Sequence, residues 1–114
     1  LSGEYARTGK GACHVFDGDR NFIARGIPAR GGRPFKLTGW FRSCEPQGSA
    51  RLQINWSKQG KLLKFDLKTP KITGEYQQLT LEGVIPEGAE NGLLIITSPG
   101  GGMYIDDLDY RIGE

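Results

Sequence analysis

Lys36, Trp40 and Arg42 alternate along one stretch of this sequence, and Arg51, Gln53 and Asn55 alternate along the next. If both stretches are neighbouring strands, the period of two puts an indole, two amides and three cationic groups on one surface. A sugar ring matches such a surface. Its apolar face stacks on the indole, and its rim of hydroxyls bonds the planar amide and guanidinium groups. Positive charge beside the aromatic plate suits uronic acids or sulfated sugars. The plainer reading is that Trp40 packs under a loop and the rest is a solvated sheet face.

Other chemistry is poorly served. The single histidine, His14, falls on an expected strand, where a lone histidine is far more often structural than catalytic, and nothing adjacent suggests a Ser-His-Asp or Cys-His arrangement. Gly9-Lys10-Gly11 lacks the loop length and Lys-Ser/Thr ending of a phosphate cradle, and Gly100 to Gly102 open a strand rather than a helix. Asn55-Trp56-Ser57 fits the N-glycosylation pattern but lies inside an expected strand. The acids Asp106, Asp107 and Asp109 are more specific. Tyr104, Leu108 and Tyr110 share the parity of Asp106, which points that carboxylate at the core, where it must be paired, hydrogen-bonded or bound to a metal. Calcium suits it, and so do backbone donors or an arginine. Adjacent strand residues face opposite sides, so Asp106 and Asp107 cannot flank one glycosidic bond.

The elements that position these residues are short segments with a period of two. They run over 12–16, 22–27, 35–43, 50–57, 61–67, 76–85, 93–97 and 103–112. In 35–43, Phe35, Leu37, Gly39 and Phe41 share the face opposite Trp40; in 50–57, Ala50, Leu52, Ile54 and Trp56 share one face, so Trp56 reads as core. Leu79, Leu81 and Ile85 point inward, and 93–97 is apolar on both sides, as a central strand is. Ser57 to Gly60 reads as a hairpin turn. Turn signals recur at the spacing of a sandwich, and no segment sustains a helical apolar period. The expectation is a single all-β domain over 1–114, about eight antiparallel strands in two sheets.

Composition agrees. Eighteen glycines and six prolines among 114 residues suit many tight turns, and no apolar run reaches membrane-spanning length. Residues 1–64 carry twelve Lys/Arg against four Asp/Glu, and residues 65–114 three against nine. This asymmetry marks either a basic binding face or charges that interleave once the halves fold together. No aromatic-rich basic motif points to nucleic acid. Cys13 and Cys44 are either one disulfide or two buried thiols.

Four stretches carry a resemblance to a known family. Ala6 to Ala12 is similar to "artGkgA", Gly32 to Arg42 to "pGkpYkLtgWvr", and Met103 to Leu108 to "fyiDDv", while Tyr76 to Gly88 resembles the segment ending in "P-x-G" that precedes it. In this order they resemble carbohydrate-binding modules of the family 4, 9, 16 and 22 type. The resemblance implies a jelly-roll β-sandwich without catalysis, binding a polysaccharide or oligosaccharide on a sheet face with an aromatic at Trp40. It implies a larger secreted glycoside hydrolase or lyase as parent, an extracellular or periplasmic location, and a structural calcium with Asp106 at the matching ligand position. Such modules carry an Asn-Gly-x-Phe-Glu-like stretch upstream that supplies further calcium ligands, whereas five residues precede Ala6. The alternative from another class is a structural or protein-interaction sandwich of a larger extracellular protein.

Overall fold

The computed structural model describes residues 13–15, 18–100 and 102–113, with side chains from residue 23 onward. His14 and Cys13 have no described side chain, so the histidine's role and the disulfide lie outside the described residues, as does the "artGkgA" stretch. Nine strands occupy the described chain: β1 (Cys13–Val15), β2 (Gly18–Pro28), β3 (Pro34–Ser43), β4 (Gln47–Lys58), β5 (Lys61–Lys68), β6 (Lys71–Thr73), β7 (Gln77–Val84), β8 (Asn91–Gly100) and β9 (Met103–Ile112). Only the short β6 was not anticipated, and no helix is present among the described residues.

The strands form two antiparallel sheets, β1-β9-β3-β7 and β2-β8-β4-β5, with β6 pairing on β4. Apolar alternation dictates their stacking: Phe35, Leu37 and Phe41 of β3 and Leu52, Ile54 and Trp56 of β4 are all buried in one core. Burying each such side chain contributes about 1.5–3 kcal/mol. Phe35 meets the edge of Trp56 across the sheets at 5.1 Å. Trp56 is fully buried, as its parity required, and its Nε1–H donates to Asp66 Oδ2 at 2.8 Å. Gly92 underlies that ring; a Cβ there would meet Ile27 Cγ1 and Trp56 Cζ3 at 2.8 Å. The apolar stretch at 93–97 lies in the middle of its sheet, between β2 and β4, with Leu94 and Ile96 in the core and Leu93 exposed on the outer side. Gln59 and Gly60 both take positive φ, 49° and 80°, the two-residue hairpin geometry whose twist matches the flanking strands.

Register shifts between Gly18 and Phe22 and between Ser49 and Arg51 interrupt the pairing with β8, and two further bulges reset the alternation in β5 and β9. In β5, Ser57 pairs with Leu62 and Trp56 with Lys64, leaving Leu63 extra. In β9, Thr38 pairs with Asp109 and Trp40 with Asp106, so Asp107 and Leu108 together oppose Gly39. Asp107 takes a positive φ of 52° at that point. Each bulge turns the rest of its strand over by one residue.

Candidate functional site

The six residues expected on one surface are divided between two. Lys36, Trp40 and Arg42 lie on β3 in the four-stranded sheet, while Arg51, Gln53 and Asn55 lie on β4 in the five-stranded sheet. The expected joint constellation does not form. Both strands send their apolar parity into the same core, so their polar parities must point to opposite sides of the sandwich.

On the four-stranded sheet the polar face is closely packed. Trp40 is half-buried on the outer side, level with Gln78 and Asp106 on its neighbours. The Arg42 guanidinium sits 5.8 Å from the Tyr76 ring centroid and 5.9 Å from that of Tyr104. Burial first, and then the Asp106 carboxylate, push the Tyr76 hydroxyl above its ordinary pKa, while Arg42 pulls it down. Lys36 is exposed between Glu82 and Arg111 on the flanking strands. Asp109 is paired with Arg111, Nε to Oδ2, at 2.8 Å.

Asp106 does not point at the inter-sheet core. Met103 and Ile105 fill the core there, and the bulge at Asp107 returns Leu108 and Tyr110 to the inward side. The parity that linked Asp106 to Leu108 and Tyr110 therefore breaks between them. Asp106 is nonetheless only 4% exposed, buried on the outer face, and its Oδ1 accepts the Asp107 N–H at 2.9 Å. Backbone donation is thus one of its satisfactions. Among the described residues no three His, Cys, Asp or Glu gather around it or elsewhere.

The outer face of the five-stranded sheet is open. Register places Ala24, Ile95, Gln53 and Leu67 in one row and Gly26, Leu93, Asn55 and Phe65 in the next. Small residues on β2 leave that side low; large ones on β5 raise the other. Phe65 is 52% exposed, with Leu62, Leu67 and Leu93 exposed around it. Between them the Gln53 Nε2 donates to Asn55 Oδ1 at 2.7 Å, which fixes the two amides and leaves the remaining groups of each for a ligand. Arg51 follows on the same parity, opposite Thr97. Apolar surface flanking fixed amides and a guanidinium is the chemistry a sugar ring needs.

Phe65 and Leu67 were not singled out by the sequence. Counted back from the hairpin without a bulge, Phe65 would oppose Ile54 and Leu67 would oppose Leu52, inside the core. The extra residue at Leu63 turns both outward and turns Asp66 in, where it takes the Trp56 N–H. The one readable hint was charge: an inward Phe65 and Leu67 leaves Lys64, Asp66 and Lys68 all solvated, with nothing to accept the indole proton.

No family model and no curated protein matches this chain. Solved structures do. The CBM22-1–GH10 modules of Clostridium thermocellum endo-1,4-β-D-xylanase 10B, complexed with xylohexaose, superpose with TM-score 0.81 over 99% of this chain and 24% of theirs, at 15% identity. A CBM4 structure superposes with TM-score 0.71 over 90% of this chain and 72% of its own, at 13% identity. The fold is that of carbohydrate-binding modules. The same module fold recurs in the enzymatically active domain of bacteriophage CBA120 tailspike protein 4, with TM-score 0.69, 17% identity, 86% of this chain and 15% of that one. This chain therefore spans only a small part of the tailspike and the xylanase, and most of the CBM4.

Proposed function

We propose that this chain is a non-catalytic carbohydrate-binding module that holds a polysaccharide or oligosaccharide, an acidic chain included, on the outer face of its five-stranded sheet. The observation that carries the reading is the fixed Gln53–Asn55 amide pair flanked by exposed Phe65, Leu67 and Leu93. Exposed apolar rows cost a folded domain solubility, and their place beside fixed polar groups marks a binding surface. The module fold supports the reading, and so does a neighbour of that fold seen with xylohexaose. The same neighbour joins a module of this fold to a GH10 module in one chain, which supports a glycoside hydrolase as parent; a secreted parent, hydrolase or lyase, and an extracellular or periplasmic setting are proposed with it.

The experiment is a glycan array followed by affinity electrophoresis of the wild type, Phe65→Ala and Trp40→Ala. Retention of a glycan by the wild type and Trp40→Ala, with loss in Phe65→Ala, is the expected result. Loss in Trp40→Ala alone would move the site to the opposite face. The exposed apolar row also favours a second reading, a sandwich that docks a protein; an array on which no glycan is retained returns that reading.

A further inference from the structure

We infer that the cleft between the β2–β3 turn and the end of β9 is a second binding site, and that it takes a sugar ring carrying an oxyanion, with Arg30 and Arg33 holding the charge. The cavity measures about 700 Å³ and is lined by Pro28, Arg30, Arg33, Tyr110, Ile112 and Gly113. That lies within the range of small-molecule sites, roughly 300–1,000 Å³. Neither Phe65 nor the amides of β4 line it, so it stands apart from the sheet-face site. Arg30 and Arg33 are the first and last residues of a type II turn: the Arg33 N–H donates to Arg30 O at 3.1 Å, and Gly32 takes a φ of 82°. The turn is clamped from behind. The Gly32 N–H donates to Ile85 O and the Ile85 N–H to Arg33 O, both at 2.8 Å, and a Cβ on Gly31 would meet Gly88 N at 2.7 Å. The ends of such a turn lie within about 7 Å of each other, close enough for both guanidinium groups to reach one oxyanion.

The lining sets the sign of the ligand. No Asp or Glu belongs to it, and neither arginine makes an ion pair with a described residue. Glu87 reaches the turn at Gly32, where a Cβ would meet its Oε1 at 2.6 Å, but it does not line the cavity. Cations beside two other hollows are matched by an acid. Arg25 lines the adjoining cavity, Lys36 and Arg111 line a groove on the four-stranded sheet, and Asp109 belongs to both. The wall opposite the arginines sets the body of the ligand. The Tyr110 hydroxyl donates to Pro28 O at 2.7 Å, so its proton is spent and the ring offers carbon, beside Pro28 and Ile112. A pyranose meets both demands. Its C–H face lies on Tyr110 and Pro28, its hydroxyls stay hydrated on the open side, and its charged group enters between the guanidinium groups. Arginine accepts carboxylate, sulfate and phosphate alike, so the recognised feature is the oxyanion they share.

The test is titration of the full chain with glucuronate, glucose 6-sulfate, glucose 6-phosphate and uncharged glucose, read by calorimetry and by the backbone amide shifts of Gly31, Gly32 and Gly113. At least one charged sugar should move those amides and bind about tenfold tighter than glucose, a preference that shrinks as salt is raised. The tightest of the three identifies the source of the oxyanion. The double variant Arg30→Gln/Arg33→Gln should abolish the preference with the melting temperature unchanged, because both side chains are exposed. Phe65→Ala should leave the preference intact. Inorganic phosphate and sulfate should bind more weakly than the sugar esters, because they leave the Tyr110 wall uncovered. Charged sugars that bind no better than glucose, a preference that survives the double variant, or shifts confined to the five-stranded sheet would overturn the inference and leave the sheet-face reading standing. Inorganic anions that bind as tightly as the sugar esters would also overturn it, since the ring would then contribute nothing.

Discussion

The two outer faces of the sandwich carry similar side-chain types and use them in opposite ways. On the four-stranded sheet, Arg42 is held near two tyrosine rings, Asp106 is buried, and Trp40 is half-covered. On the five-stranded sheet, the Gln53 amide bonds that of Asn55, Arg51 makes no ion pair with a described residue, its Nε, like that of Arg42, makes no hydrogen bond, and Phe65 stands open. The first face spends its polar groups on holding itself together. The second keeps them in reserve. Residue type does not separate a stabilising polar face from a binding one; the degree of mutual satisfaction does.

Variants on the two faces should therefore fail in different assays. The largest effect should come from Phe65→Ala, which removes an exposed ring and so loses about a hundredfold in glycan affinity, about 2.7 kcal/mol, with little change in unfolding midpoint. The opposite pattern should follow Asp106→Ala. Loss of the acceptor for the Asp107 N–H loosens the bulge and costs about 1–3 kcal/mol in chemical denaturation, while glycan affinity holds. A sharp loss of affinity in that variant would show that the faces are not independent.

How far could this division be read in advance? The core could be read well. Period-two alternation assigns the buried members of β3, β4 and β7, including Trp56, because a strand with one apolar parity has one energetic choice. Pairing could not be read that way, since alternation says which way a side chain points and not which sheet its strand joins. Lys36, Trp40 and Arg42 were thus placed beside Arg51, Gln53 and Asn55, when the shared core sends them apart. The bulges hid the rest. One extra residue at Leu63 moves Phe65 from core to surface, and one at Asp107 separates Asp106 from Leu108. Neither position carries a glycine that would mark the irregularity.

Smaller tests sharpen the contrast. Arg42→Leu should cost about 1 kcal/mol of stability through loss of its contacts with Tyr76 and Tyr104, against no stability loss for Arg51→Met. The smallest effect should be alkaline. Burial pushes the Tyr110 hydroxyl up to about 12 from an ordinary 10, and it donates to Pro28 O at 2.7 Å. The unfolded chain then releases this proton first. Its contribution is complete below pH 10 and is lost as pH rises from 10 to about 12, which a denaturation series should resolve. Tyr110→Phe should flatten that part of the profile.

The bond from the Trp56 indole to Asp66 has an optical consequence. Asp66 is the immediate chain neighbour of Phe65, so whatever presses on that ring also shifts the carboxylate that polarises a buried fluorophore. A glycan seated on Phe65 should therefore shift the emission of Trp56, which a fluorescence titration in a Trp40→Phe background checks, without an attached dye.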